Sequence, residues 1–110
     1  MRAARVFYKS IFAGILSEED DGYRFVYDDE YLHQSNVNPI SLTMPTSQKI
    51  YESKVLFPFF DGLIPEDWLL DISIKNWKLD PRDRMGLLLT CCRDCIGAVS
   101  VESITNKEEL

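Results

Sequence analysis

The chain of 110 residues has a net charge of −6, and 45% of its residues are apolar, which is enough for one hydrophobic core and excludes a wholly disordered tail. The acidic balance argues against direct binding of DNA or RNA, because such binding needs cations that neutralise phosphates. No uninterrupted apolar run of about 18 residues is present to span a membrane, and the first apolar segment is too short for a signal peptide.

The first part of the chain has the sequence patterns of β-strands. Two short apolar runs, 6–8 and 12–16, are separated by Lys9-Ser10 and predict a hairpin. The pair Asp21-Gly22 is a strong tight-turn signal. After it, aromatic residues alternate with others over 23–27, which predicts a strand with an aromatic face.

Two further elements are predicted before the middle of the chain. Residues 28–33 are expected to form a helical turn, with acids near its start, where the helix dipole favours them. Apolar and hydroxyl residues alternate from Ile40 to Met44. That period of two predicts a half-buried strand, which Pro45 ends.

The second half of the chain has the pattern of helices. Pro65 suits a first helical position, because its missing N–H costs nothing there. On a helical wheel of residues 66–77, one broad apolar arc is expected to face the core. This arc is formed by Leu69, Leu70, Ile74 and Trp77. Trp68 and Ile72 fall on the opposite face, together with Asp71 and Lys75 at a spacing that allows weak pairing.

A second helix and a last strand are predicted after Asp80-Pro81, where the aspartate caps the helix and the proline takes its first position. The packed face of this helix is predicted to consist of Met85, Leu88 and Leu89. Residues 97–101 read as a final strand, and residues 105–110 as a frayed polar tail. The predicted fold class is therefore α+β, a small antiparallel sheet with two main helices packed on one side.

The three cysteines, Cys91, Cys92 and Cys95, lie too close together to cross-link a fold, and their number is odd. Free thiols of this kind fit a reducing compartment, so we expect a cytoplasmic protein. A zinc site needs about four ligands, and the single histidine, His33, is far away in sequence. No metal and no other cofactor is expected, and buried or half-buried free thiols are the favoured interpretation.

No constellation typical of an active site is found in the sequence. The chain has no phosphate-binding glycine loop and no kinase signature, and no nucleophile or carboxylate partner is evident beside His33. No catalytic residue is predicted, and the chain is not expected to be an enzyme. Acids at 61, 66, 67 and 71 have the composition of a metal site, but at a helix start they also cap the helix and complement its dipole, which is the favoured interpretation.

Trp68 is the strongest candidate for a functional residue, since tryptophan is enriched where proteins bind one another. Two interpretations stay open at this stage. Trp68 contacts a partner protein, or a neighbouring loop such as 57–60 folds over it. With Ile72 it forms an apolar pair flanked by Asp67, Asp71 and Lys75, the apolar centre and polar rim that interfaces use. The acidic surface suits a basic protein partner, although acids also keep a small domain soluble.

Five sequence blocks, in order, resemble the N-terminal subdomain of HipA-type serine/threonine kinases over residues 6–101. They are Gly14-Ile15-Leu16, Tyr23–Tyr27 with Tyr31-Leu32, Pro39–Pro45, Phe59–Glu66 and Arg93–Ser100. In that family the subdomain precedes the ATP-binding core of a toxin kinase that acts on aminoacyl-tRNA synthetases, and a DNA-binding antitoxin, HipB, accompanies it. Residues 1–104 are accordingly expected to form one such domain. HipA-like chains often read Pro-Glu-Gly where this chain has Asp67 in the third place.

The resemblance also implies a function. Free-standing forms of this subdomain are known as HipS, the small component of three-part HipBST toxin–antitoxin systems whose kinase, HipT, lacks it. The resemblance thus implies an antitoxin that binds a HipT-like kinase in trans and blocks its active-site cleft, with a HipB-like helix-turn-helix protein as a possible third member. The expected kinase-binding residues are Asp61, Glu66, Asp67, Trp68, Asp71 and Ile72. The alternative is a structural subunit that joins the kinase to the DNA-binding repressor.

Overall fold

An antiparallel sheet of five strands forms the centre of the molecule, with the strand order β4-β3-β2-β1-β5. The structure, a computed structural model, describes residues 2–35, 37–64, 82–91 and 98–104. The strands are β1 (Ala3–Tyr8), β2 (Ile11–Glu19), β3 (Gly22–Tyr27), β4 (Ile50–Ser53) and β5 (Val99–Ile104). The helices are α1 (Asp29–Leu32), α2 (Pro58–Asp61) and α3 (Arg84–Cys91).

The predicted hairpin at the start of the chain is confirmed. Strand β1 pairs with β2 in antiparallel register, and the bend consists of Lys9 and Ser10. Both residues have positive φ angles, 50° and 69°, as a two-residue turn with the twist of its strands requires. Strand β1 also pairs with β5 on its other side. The last described strand therefore forms one edge of the sheet and lies next to the first strand.

The predicted turn at Asp21-Gly22 and the strand that follows it are also confirmed. Gly22 begins β3 with φ of 150°, a conformation that side chains rarely adopt. A Cβ atom at this position would lie 2.2 Å from the Ser53 carbonyl oxygen of β4. Glycine at the first position of β3 therefore allows β4 to approach.

One face of the sheet carries the core, because alternate side chains of every strand point to the same side. The fully buried strand residues on this face include Ala4, Val6, Leu16, Phe25 and Val101. The helices cover this face, and their buried residues include Phe60, Met85, Leu87 and Leu88. The predicted packing of Met85 and Leu88 is thus confirmed, while Leu89 is only partly buried against the cluster.

The predicted strand from Ile40 to Met44 is wrong. These residues form bends and turns, in which Ile40 and Met44 are buried but Leu42 between them is 95% exposed. In a strand all three side chains would share one face. A hydrogen bond of 3.1 Å from the amide of Met44 to the carbonyl of Ser41 closes this turn. The edge strand beside β3 is instead β4, whose four residues are too few to show a clear alternation.

A final strand is present, as β5 from Val99 to Ile104, and it extends three residues beyond the end of the predicted range 97–101. The predicted pair of main helices is not confirmed. The described helices are short, with four residues in α1, four in α2 and eight in α3. The helix predicted over residues 66–77 and the start predicted at Asp80-Pro81 both lie outside the described residues. Among the helices that the structure describes, none combines the length and apolar character needed to cross a lipid bilayer.

Candidate partner-binding site

Of the six residues expected to contact a partner, the structure describes Asp61 alone. Glu66, Asp67, Trp68, Asp71 and Ile72 lie outside the described residues. The structure does describe the two helices that flank this segment in the chain, α2 before it and α3 after it. The geometry of these two helices therefore defines the candidate site.

Helix α2 is fixed in the core by aromatic packing. Pro58 takes its first position, where the lost N–H has no helical partner to bond. Phe60 is fully buried, with its ring centroid 5.8 Å from that of Phe25 on the sheet. The rings of Phe57 and Phe59 lie 6.2 Å and 5.2 Å from Phe60, both edge-on. This cluster makes the aromatic segment before residue 65 a rigid part of the fold.

Asp61 ends α2 and forms an ion pair with the first residue of α3. Its Oδ1 atom accepts a hydrogen bond from Nε of Arg84. Both side chains are partly exposed, so solvent weakens the pair, and it contributes about 0.2–1 kcal/mol. Asp61 is therefore bound within the chain, and this contact holds the end of α2 against the start of α3.

A second ion-pair group attaches the start of α3 to the sheet. The guanidinium of Arg2 donates to both carboxylate oxygens of Glu18, at 3.0 and 2.8 Å. The same group donates to both oxygens of Asp83, at 2.8 and 2.9 Å. Asp83 in turn accepts a hydrogen bond from the amide of Gly86 at 3.2 Å, as a helix-capping side chain does. Arg2 thereby joins β2 to the residue before α3.

These contacts shift the acid–base equilibria of the group. Hydrogen bonding to the Arg2 guanidinium lowers the pKa of Glu18 and, against the opposing effect of burial, lowers the pKa of Asp83 as well. The pKa of Arg2 itself is raised, first by its hydrogen bond to Glu18 and then by that to Asp83. All three side chains are charged at neutral pH, so the start of α3 is held by two forked, charge-assisted contacts.

Together the two ion-pair groups fix both ends of the segment that carries the predicted contact residues. The chain leaves α2 beside Arg84 and comes back to α3 beside Asp61. Arg2 fixes that same place against the sheet. No role was predicted from the sequence for Arg2 or Arg84. Each pairs with an acid far from it along the chain, and no local pattern indicates such a pair.

The acidic turn between β2 and β3 lies at the same end of the sheet as the start of α3, because Arg2 joins Glu18 to Asp83. A groove of about 480 Å³ opens beside this turn. Its charged lining residues are Glu19, Asp20, Asp21, Arg24, Glu52 and Lys54. Four acids against two cations give this end of the molecule a negative potential.

The other candidates from the sequence offer no site in the described part of the chain. His33 follows α1 and is exposed. Among residues 2–35, 37–64, 82–91 and 98–104, no group of three or more histidine, cysteine or acidic side chains is arranged to hold a metal ion. Cys92 and Cys95 lie outside those ranges, so the prediction about the cysteine cluster stays a prediction.

The sequence is similar to that of known proteins along nearly its whole length. The profile of the HipA N-terminal domain matches residues 4–102. The chain is 32% identical over 102 residues to an uncharacterized protein of Haemophilus influenzae, covering 93% of this chain and 92% of that protein. It is 24% identical over 102 residues to Y4mE of Sinorhizobium fredii, which is named as a candidate kinase. That match covers 92% of this chain and 24% of Y4mE.

The fold is similar to that of a solved structure, the N-terminal domain of HipA toxin. The two chains superimpose with a TM-score of 0.77 and 29% sequence identity. The match covers 97% of this chain and 96% of that one. The same domain thus matches nearly all of one relative and about a quarter of another.

Proposed function

Because this chain belongs to the HipA N-terminal domain family, as its sequence blocks predicted, we propose that it is a non-catalytic antitoxin that binds a HipT-like serine/threonine kinase in trans. The observation that carries the proposal is the distribution of the domain. The match covers 92% of the Haemophilus influenzae relative but only 24% of Y4mE. A unit that occurs both alone and as part of a candidate kinase is suited to bind a kinase that lacks it.

The proposed contact is the segment that departs from α2 and returns to α3. Trp68 and Ile72 form its apolar centre, and Glu66, Asp67 and Asp71 form its acidic rim. The ion pairs at α2 and α3 support this role, because holding the two ends of a binding segment in place before association lowers the entropy that binding costs. Trp68 enters or borders the active-site cleft of the kinase, so that substrate access is blocked in a cytoplasmic complex.

Asp61 has a different part in this proposal from the one expected from the sequence. Its carboxylate is bonded to Arg84 within the chain. We assign it to positioning the segment rather than to contacting the kinase. The acidic turn at 19–21 lies at the same end of the sheet, where its charge would speed the approach of a basic surface on the kinase.

Replacing Trp68 with alanine tests the proposal. The chain is co-expressed with the HipA-type kinase encoded nearest to it in its own genome, and cell growth is measured. Trp68→Ala is expected to abolish rescue, since a central tryptophan typically contributes about 2 kcal/mol or more to binding. Ile11→Ala is the matched control, because Ile11 is an exposed apolar side chain beside the first hairpin turn.

The result has three distinguishable outcomes. Loss of rescue in Trp68→Ala but not in Ile11→Ala supports inhibition through this segment. Full rescue by Trp68→Ala contradicts it. If the parent chain binds the kinase in a pull-down without lowering its activity, the alternative applies instead, and the chain is a structural subunit that joins the kinase to a HipB-like DNA-binding protein.

A further inference from the structure

The face of the sheet opposite to the core carries a second, smaller set of apolar side chains. Successive residues of a strand point to opposite sides, so the neighbours of the buried residues Val6, Leu16 and Phe25 lie on this outer face. The apolar residues of the outer face are called here the outer patch and are Phe7, Phe12, Ile15, Val26 and Ile50. The core cluster formed by the described residues contains none of these five.

The outer patch runs across four of the five strands. Ile15 of β2 lies opposite Val26 of β3, and Val26 lies opposite Ile50 of β4. Side chains of opposite residues are neighbours on one face. Phe7 of β1 and Phe12 of β2 also lie opposite each other, with their ring centroids 5.9 Å apart. All five side chains are at least partly exposed, and Ile50 is 48% exposed.

The charged side chains next to the outer patch are paired with one another. Arg5 lies opposite Ile15 and pairs with Glu102 at 3.5 Å. Arg24 pairs with Glu52 at 3.7 Å on the other side of the sheet. Two cations and two acids leave this surface without net charge, whereas the whole chain carries −6. An apolar centre with a polar rim is the arrangement that protein interfaces use.

The free edge of the sheet at β4 is protected against pairing with another strand, but the outer face is not. Lys49 and Lys54 flank β4, and the side-chain amide of Gln48 donates to the carbonyl of Ile50 at 2.6 Å. Lysines at an edge strand are one of the means by which proteins prevent edge-to-edge association. None of the five described strands contains a lysine. This contrast favours association through the face rather than through the edge.

A second copy of this chain fits the outer patch. In a two-fold dimer the same surface serves both subunits, so it must be complementary to itself. An open apolar sheet face meets this condition without a pocket, because the side chains of two such faces interdigitate at about 10 Å. Two chains of the same charge repel each other, and the repulsion is weakest where neutral surfaces meet. Each rim also offers both arginine and glutamate, so that a cation of one subunit can meet an acid of the other.

The size of the face sets the expected strength of association. Five strands at a spacing of about 4.8 Å and a strand length of about 20 Å give roughly 400–500 Å² per copy. Two such faces bury about 1,000 Å² in total, which is at the low end for specific interfaces. We therefore expect a reversible dimer that forms at micromolar concentrations rather than a permanent one.

We propose that two copies of this chain associate through the outer patch, sheet face against sheet face. Helices α2 and α3 lie on the core side of the sheet, with Phe60, Met85 and Leu88 buried in the core cluster. The dimer therefore leaves these helices and the candidate kinase-binding segment between them open to another protein. The inference goes beyond the proposed function and does not depend on it.

Sedimentation velocity on the purified chain, from about 1 to 300 μM, tests the proposal. The parent is expected to shift from a mass of 12.7 kDa towards twice that mass as its concentration rises. Ile50→Glu should weaken the dimer by roughly 10-fold or more, because association would then bury a charge against apolar side chains. Thermal unfolding checks that the variant folds.

Ile11→Glu is the matched control. Ile11 is also an exposed isoleucine, at 45%, and the change gives the same net charge as Ile50→Glu. It lies opposite Tyr8, whose side chain packs against the core cluster, so it points to the other side of the sheet. Its dimerisation constant should stay within about twofold of that of the parent.

Val26→Thr is a second variant at the centre of the outer patch and keeps a β-branched side chain that suits a strand. Weaker association in Ile50→Glu and Val26→Thr, but not in Ile11→Glu, supports the proposal. A parent chain that stays monomeric over the whole range overturns it, as does equal weakening in Ile50→Glu and Ile11→Glu. If the parent is monomeric and Ile50→Glu lowers its affinity for the kinase instead, the outer patch belongs to the kinase contact, and the proposed dimer is wrong while the proposed function stands.

Discussion

The hydroxyl group of Tyr27 holds both ends of the segment 40–44. It bridges the amide of Ile40 and the carbonyl of Met44, and the ring of Tyr27 stacks on that of Tyr31 at 6.0 Å. Burial raises the pKa of Tyr27 to about 12. The neutral hydroxyl is therefore the form that the fold requires, and its stabilising effect is present below pH 10, the ordinary value, and is lost as pH rises through the folded-state value.

Replacing Tyr27 with phenylalanine should destabilise the fold. The change leaves the amide of Ile40 and the carbonyl of Met44 buried without their bonding partner, which costs about 1–3 kcal/mol of the free energy of unfolding. Urea denaturation measures the loss. Tyr51→Phe is the control and should cost less, since the hydrogen bond from Tyr51 to Pro45 is exposed. Equal losses in the two variants would contradict the role given to Tyr27.

Asp61 shows where residue-level prediction from the sequence stops. The sequence marks it as an acid beside a helix start, and that pattern fits a partner contact as well as a capping group. The structure pairs it with Arg84, 23 positions along the chain. Such a contact depends on how α2 and α3 pack together, and the periodicity of the sequence does not indicate that packing.

The ion pairs of Arg2 with Glu18 and Asp83 make the attachment of α3 to the sheet depend on pH. The lowered pKa values of Glu18 and Asp83 mean that their contribution is present above the ordinary values of 4.5 and 3.8. It is lost as pH falls through the lowered folded-state values. The start of α3 should therefore loosen in acid before the sheet itself unfolds.

Arg2→Gln tests this dependence. At about pH 7 the variant should be less stable than the parent by about 1 kcal/mol, a small figure because the three side chains are partly exposed. The difference should be smaller at about pH 3, which lies below the ordinary pKa values of 4.5 and 3.8, because the unfolded chain then binds protons that the lowered pKa values keep off the folded parent. Urea denaturation at the two pH values measures it, with Arg5→Gln as control for the weaker pair to Glu102 at 3.5 Å. A difference that does not change with pH would refute the assignment.

The pair between α2 and α3 should affect binding more than stability. Arg84→Asp is expected to lower kinase affinity by roughly two- to fivefold and to change the free energy of unfolding by less than about 1 kcal/mol. The double variant with Asp61→Arg restores the pair with its charges exchanged and should recover affinity. Failure of the exchange to recover any affinity, measured by calorimetry, would show that Asp61 contacts the kinase directly.

The elements that the sequence predicted best are those with strong local signals. The hairpin at Lys9-Ser10 was predicted from two apolar runs with a polar break between them, and the strand after Gly22 from a turn pair followed by alternation; both are present. The stretch from Ile40 to Met44 has alternation too, but the buried hydroxyl of Tyr27 bends it into a turn. A tertiary hydrogen bond overrides the local pattern there. For the same reason, the sequence pattern does not indicate that Leu42 is exposed.

Family membership could be predicted from the order of the sequence blocks, because blocks spread along the chain test the overall fold rather than one element. The candidate site could be predicted from the sequence only in part. The sequence named a segment after α2, whereas its anchoring by Arg2 and Arg84 required the structure.

The proposed function requires that this domain forms a complex with a separate kinase. Size-exclusion chromatography with light scattering tests it on purified chain and the HipA-type kinase encoded nearest to it, mixed at concentrations of about 10 μM. We expect one complex containing both proteins, with the kinase inactive in it. Two species that elute separately at their own masses, with the kinase fully active, would refute the proposed function.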